Sequence, residues 1–305
     1  ELDILVIDKG VIGWNGQSTK AGNGIRATSK HPDGVMNALG YLVHAHTPFL
    51  NDQEFLKRYL EVHRDNIDYM KHCGVQLSCD EEGNATPLPF IPDALDMAGV
   101  SINVNAQLRA FALKLGIRLM SRVNIFELLT SKTGKVIGAI GFDMDHGECK
   151  IFHAKAVAMA TQGCHFKKIG LEFMGYGTGV GAMYRVGAVM RNVEFSTQVD
   201  VVFKKTNTPI YGGFNMICNK HGENLTQKYI GHVEWEVTPA LVNAMVQEIA
   251  AGNGPLWVDL EKPDEVRMMI GGTDMDESTQ RMLRDKMAWE HLVFTKTAKN
   301  IGEVG

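Results

Sequence analysis

The chain opens on an apolar run, residues 2–7, in which Leu2, Ile4, Leu5, Val6 and Ile7 surround a single Asp3, and the run stops at Asp8-Lys9-Gly10. A short apolar segment closed by turn formers predicts a buried strand. Residues 33–46 follow with Val35, Met36, Leu39, Leu42 and Val43 at helical spacing. A clearer helix comes next. Asn51 with Glu54 three positions on makes a capping-box pair, Phe55, Leu56, Tyr59, Leu60, Ile67 and Met70 recur on one face, and Gly74 closes the helix. Residues 75–102 carry Pro87, Pro89 and Pro92 and read as a loop, of the kind that covers a site.

The period then changes repeatedly. A helix over 103–115 leads through Gly116 to strand-like runs at 117–120, 123–128, 135–142 and 149–153, the last two joined by a turn at 143–147. Together they suggest a small antiparallel meander inserted in a parallel sheet. Residues 156–160, Ala-Val-Ala-Met-Ala, read as a strand buried on both faces that ends in Thr161-Gln162-Gly163. A second glycine cluster, 175–181, opens a helix to about Met190. Residues 193–218 are mostly strand-like, 219–229 are polar and turn-like, and a domain boundary falls near Tyr229. Beyond it, Thr238-Pro239 starts a helix to about Ala251, with proline suited to the first turn. A strand at 256–260 and helices at 263–270 and 275–294 complete the pattern.

Composition narrows the class. With 305 residues the chain is long enough for two domains. A formal net charge of -4 with 22% charged residues gives no polyanion-binding surface, which argues against nucleic acid. Five cysteines, at 73, 79, 149, 164 and 218, form no Cys-x-x-Cys pair, so neither a zinc ribbon nor an iron–sulfur cluster is encoded locally, and no metal site is expected. That usage fits a reducing, cytoplasmic setting. No apolar run approaches the roughly 18 residues that span a bilayer. The sixteen methionines are read as adaptable core packing.

Candidate chemistry centres on the start. An acid where a short strand ends lies at the sheet's carboxyl edge, where it can accept hydrogen bonds from ribose hydroxyls; Asp8 is that acid. The stretch after it, through Ser18, Thr19, Ala21, Gly22, Asn23 and Gly24, has little bulk and lets backbone N–H groups approach a pyrophosphate or a flavin ring. An ordinary strand and turn uses the same residue types. The 175–181 cluster likewise has two readings, an N–H-rich cradle for anionic atoms or a close packing of helix on sheet. His63 and His72 are read as core or solvent-edge residues without chemistry. His221 and His232 near the boundary, and Arg267, Arg281 and Arg284 beyond it, carry no secure role, so no catalytic residue is named.

The order and spacing of several stretches resemble the flavoprotein subunits of the fumarate reductase and succinate dehydrogenase superfamily, most closely the alpha subunits of adenylylsulfate reductases. These stretches are Ile7-Asp8-Lys9 with residues 18–27, 123–129, 136–142, 154–157 into 160–163, 187–190 before Glu194, 219–223, and 248–257. The resemblance implies an α/β fold: an FAD-binding Rossmann-like parallel sheet with the inserted meander, over 1–229, and an incomplete α+β capping domain over 230–305. It implies that Asp8, with Lys9 beside it, binds the FAD ribose. Residues 18–24 would wrap flavin and pyrophosphate, Val123 would offer backbone groups to the adenine, and Thr161 and Gly163 would line the cofactor. Ser18 stands where covalent members carry a histidine, so the FAD is expected to be non-covalent. The implied activity is hydride exchange between flavin N5 and a small organic or anionic substrate, with electrons passed to a separate iron–sulfur protein.

The departures from the family shape the expectation further. The strand and G-x-G-x-x-G turn that precede the acid in the family are not in this sequence, which suggests the central part of a longer chain. Gln162 replaces a usual glycine, and Val180 stands where many members carry aspartate. Leu241 aligns with a substrate-contacting arginine and Ser29 with a substrate asparagine. Loss of a guanidinium fork removes bidentate recognition of an oxyanion, so adenylylsulfate is not the expected substrate. The alternative function is a flavoprotein-like scaffold that binds a partner without redox chemistry.

Overall fold

The protein, seen in a computed structural model, is described over residues 2–19, 24–46, 49–88, 91–101, 103–161, 163, 176–193, 202–203, 208–209, 217–231, 239–259 and 301–304. Its segments pack into two units. One takes residues 1–22, 68–77 and 101–197, the other 23–67, 78–100 and 198–305.

In the first unit the strand Leu5–Ile7 pairs in parallel with Arg118–Met120, Leu5 against Arg118 and Ile7 against Met120. Two parallel strands need a crossover, and the helix Val104–Lys114 leads into the second of them. Gly116, at φ 76°, ends that helix in the left-handed conformation a glycine adopts without strain. The meander follows as expected: Val123–Thr130, Val136–Asp143 and Glu148–His153 form an antiparallel sheet in that order. Helix Thr178–Arg185 lays Ala182 against Leu128 and Ala139 of this sheet, with Val157, Met159 and Met183 around them. The architecture is therefore the mixed α/β one expected, with a parallel pair and antiparallel sheets.

In the second unit the strand Gly24–Thr28 pairs antiparallel with Leu95–Val100. Helices Gly34–Tyr41 and Gln53–His63 supply Ala38 and Leu60 to a core with Leu88, Ala94 and Leu95. A separate antiparallel sheet places Leu256–Asp259 between Ile217–Cys218 and Ile301–Val304. The helices Leu225–Tyr229 and Pro239–Ala250 belong to the same unit, and Ile217, Leu225, Leu241 and Leu256 are all fully buried.

Several local expectations are corrected. The 51–74 helix is two, Gln53–His63 and Asn66–His72, and its cap is Asp52, whose side chain accepts from Phe55 N at 3.0 Å, one residue after the Asn51 expected. The 33–46 helix widens to a π turn over Leu42–His46. Residues 75–102 are not simply a loop: they contain Thr86–Pro87 and Leu95–Val100, both paired, with Pro87 on an edge strand and Pro92 in a turn rather than in the central strand. Residues 156–160 form no strand among the described residues. Val157 and Met159 are half-buried while Ala156, Ala158 and Ala160 are exposed, a one-sided alternation rather than burial on both faces. The glycine-opened helix ends at Arg185, short of Met190, where Gly187 turns the chain at φ 83°. No described helix is long and apolar enough to cross a membrane. The helices expected at 263–270 and 275–294 lie outside the described residues.

Candidate functional site

Asp8 sits where the sequence reading put it, directly after Ile7 at the carboxyl end of a parallel strand, and its N–H donates to Met120 O at 3.1 Å. Its side chain is half-buried. Oδ1 accepts from Gly10 N at 2.7 Å and from Asn15 Nδ2 at 2.6 Å. Among the described residues Oδ2 accepts no hydrogen bond. A carboxylate with one oxygen fixed and the other open at a sheet's carboxyl edge is fit to receive a hydroxyl.

The turn that carries it is pinned from two directions. Arg122 N donates to Gly10 O at 2.9 Å, Ile12 N to Ser121 Oγ at 3.1 Å, and Val123 N to Asp8 O at 3.1 Å. Arg122 holds φ 61°, uncommon for a non-glycine residue. On the helix side Asn105 Nδ2 donates to Asn15 O at 3.0 Å, and the Arg109 guanidinium lies 5.2 Å from the Trp14 ring centroid. Gly13 must be glycine: at φ 93° a Cβ there would also meet Arg109 Cδ at 2.8 Å.

The remaining expected residues divide. Lys9 is exposed, and its Nζ stands 4.9 Å from the Tyr176 ring centroid, tying the first turn to the second glycine cluster. Ser18 and Thr19 lie in the short 3-10 turn Gln17–Thr19, Ser18 exposed and Thr19 Oγ1 donating to Gly16 O at 2.8 Å. Ala21, Gly22 and Asn23 lie outside the described residues, as do Gln162, His232, Arg267, Arg281 and Arg284. Gly24 is the first residue of the Gly24–Thr28 strand, where a Cβ would meet Met97 Sδ at 2.6 Å. Val123 is buried, and its N–H is already used by Asp8. Thr161 is exposed and Gly163 half-buried.

Thr161 does meet the second glycine cluster. A Cβ at Gly179 would collide with Thr161 Oγ1 and fall 2.9 Å from Thr161 Cβ, so only glycine lets the helix start lie against this segment. Gly177, at φ 73°, caps that helix. The close-packing reading of the cluster thus has a direct basis at Gly179. Asp8, Lys9, Val123, Thr161 and Gly163 all belong to the first packing unit.

Sequence reasoning did not single out Asn15 or Asn105. A polar side chain between Trp14 and Gly16 was the available signal, and it points to no chemistry until the turn is folded. It also did not foresee that two of the resembling stretches, 219–223 and 248–257, converge on one cluster. Glu248 is fully buried there. Its Oε2 accepts from Asn219 Nδ2 at 2.8 Å, and its Oε1 from the Tyr229 hydroxyl and from Lys228 Nζ at 2.9 Å. The Tyr229 hydroxyl first, then Asn219 and Lys228, hold the Glu248 carboxyl down to about 2. The same contacts raise Tyr229, through Glu248, and Lys228, through Glu223 before Glu248.

The two positions expected to align with substrate contacts, 241 and 29, are otherwise employed. Leu241 is in the core, and Ser29 is buried, with Oγ accepting from His31 N at 3.3 Å. His63 stacks on Tyr59 at 4.9 Å and burial lowers its pKa, in keeping with a neutral packing role; His72 meets Phe111 edge-on at 5.8 Å. Among the described residues no group of three or more metal-ligating side chains occurs.

The FAD binding domain family matches residues 1–284, and the chain belongs to that family of FAD-binding flavoproteins. Three solved structures share its fold. Adenylylsulfate reductase from the hyperthermophilic Archaeoglobus fulgidus is 16% identical with a TM-score of 0.71, the match covering 100% of this chain and 53% of that one. E. coli quinol fumarate reductase FrdA, in a mutant form, is 17% identical at 0.72, over 86% and 50%. The 3-ketosteroid-delta4-(5alpha)-dehydrogenase of Rhodococcus jostii RHA1, in complex with 4-androstene-3,17-dione, is 15% identical at 0.60, over 96% and 72%. The chain thus spans about half the length of the first two. No curated protein matches the sequence.

Proposed function

We propose that this chain is the cofactor-holding part of an FAD-dependent oxidoreductase subunit, and that Asp8 grips the ribose of the adenosine half. The observation that carries the reading is the open Oδ2 of Asp8 at the end of a parallel strand, beside an Oδ1 that is already committed. Val123 has spent its N–H on Asp8 and would offer its carbonyl to the adenine amino group. Lys9, Ser18, Thr19, Ala21, Gly22, Thr161 and Gly163, all of the first unit, would contact the rest of the cofactor. The position of Ser18 leaves the FAD non-covalent.

Bound FAD supplies reversible two-electron exchange with a small organic or anionic substrate. The protein's part is to bind and orient it: Asp8 fixes the sugar, and the Asp8–Gln17 turn and the glycine-opened helix fix the backbone around it. A separate iron–sulfur protein as electron partner, and a cofactor domain with a separate capping domain, belong to the same proposal. The shared fold with a fumarate reductase and a steroid dehydrogenase leaves the substrate open, and the buried Leu241 argues against recognition of adenylylsulfate there.

The visible spectrum of the intact protein, purified with added FAD and freed of excess, tests the reading. Retained flavin absorption that is released intact on denaturation supports it. Protein that takes up no flavin overturns it and leaves the scaffold alternative.

A further inference from the structure

Asp8 is the smaller of the two acidic side chains, with a single methylene between backbone and carboxylate, so its reach is set by the turn that holds it. Two donors converge on one oxygen: Gly10 N at 2.7 Å and Asn15 Nδ2 at 2.6 Å. Charge-assisted hydrogen bonds of this length fix the carboxylate plane and leave Oδ2 as the oxygen free to accept. Asn15 is itself held. Its carbonyl accepts from Asn105 Nδ2 at 3.0 Å, on the helix Val104–Lys114. Its side chain also fills the space beside Gly10, where an added Cβ would collide with Asn15 Cγ. The Asn15 side chain thus reaches back across the turn and ends on the carboxylate.

We infer that Asn15 is a positioning residue for FAD binding, one that sets Asp8 with Oδ2 outward toward the adenosine ribose, with Asn105 bracing Asn15 from behind. The inference rests on the ribose role proposed for Asp8. Hydrogen bonds between protein groups do not by themselves bind the cofactor; this pair acts by removing the carboxylate's freedom before the ribose arrives, which lowers the ordering cost of binding. A side chain that merely filled the turn would change stability and leave the affinity for FAD where it was.

A double-mutant cycle on the intact apoprotein, read by flavin fluorescence quenching on FAD titration, separates the possibilities. Asn15→Ala should weaken FAD binding about tenfold, the order expected for one hydrogen bond to a charged group. In an Asp8→Ala background the same change should cost nothing further. Asn105→Ala should weaken binding less than Asn15→Ala. Asn15→Asp sets a second carboxylate against Oδ1, and like charges at that distance come to share a proton as the pH falls, so FAD affinity in this variant should rise toward acid pH. If Asp8→Ala weakens FAD binding while Asn15→Ala leaves it unchanged, the positioning role is overturned and the ribose role stands. If Asp8→Ala leaves binding unchanged, the ribose role itself is wrong. Should Asn15→Ala fail to fold, the Asn15→Asp profile decides, and a flat profile overturns the inference.

Discussion

Two carboxylates show how differently this chain uses the same group. Glu248 is fully buried with both oxygens occupied, by Asn219 on one side and by Tyr229 and Lys228 on the other. Asp8 is half-buried with one oxygen occupied and one open. A carboxylate whose acceptor capacity is used up by its own protein holds structure together; one with capacity left at a strand's carboxyl edge is available to a ligand. The difference sets Glu248 on the side of stability and leaves Asp8 open for the binding role proposed above, and each reading can be broken separately.

The largest effect is expected at Glu248. Replacing it by alanine leaves the Lys228 ammonium, the Tyr229 hydroxyl and the Asn219 amide facing a void, and removal of one member of such a network strands the others. Thermal unfolding of Glu248→Ala should begin on the order of 10 °C below the parent, an order set by the tail of single-substitution effects. The pH dependence has a definite sign. The Glu248 carboxyl is depressed from 4.5 to about 2, so its contribution is complete above about pH 4.5 and is lost as the pH falls toward 2. The gap in melting temperature between parent and Glu248→Gln should therefore narrow across that interval, and a gap that stays constant there would count against the assignment.

At Asp8 the contrast predicts the reverse balance. Asp8→Ala should weaken FAD binding by about 10- to 100-fold in a fluorescence titration, with a smaller change in melting temperature than Glu248→Ala. Gly179→Ala is expected next. Its Cβ collides with Thr161 Oγ1 and Cβ alike, so rotation of the hydroxyl alone gives no relief, and a cost of about 1 to 3 kcal/mol by denaturant unfolding follows from overpacking. The smallest effect is at Asp3, whose pair with Arg118 is solvent-exposed; Asp3→Asn should leave unfolding unchanged within about 1 kcal/mol.

Much of this was readable from residue order because the signals were local. Asp8 at the end of a short apolar run, the meander between residues 123 and 153 with its Asp143–Gly147 turn, and the helix behind Pro239 all state their structure within a few neighbouring positions. What was not readable depends on partners far away in sequence. Gly24–Thr28 is a strand because Leu95–Val100 lies beside it, and the alternation is masked by Arg26 in its middle. Residues 156–160 have the composition of a central strand, but no described strand pairs with them, and the alanines face outward. Asn15 acquires meaning only when the turn folds back onto Asp8, and Glu248 only when Asn219 and Tyr229 reach it.

The most direct measurement of the central claim is the affinity of the apoprotein for the adenosine half alone, with ADP competing against FAD in parent and Asp8→Ala. A ribose grip at Asp8 predicts that the substitution weakens ADP and FAD by the same factor while the apoprotein stays folded. Equal ADP affinity in the two proteins would contradict it.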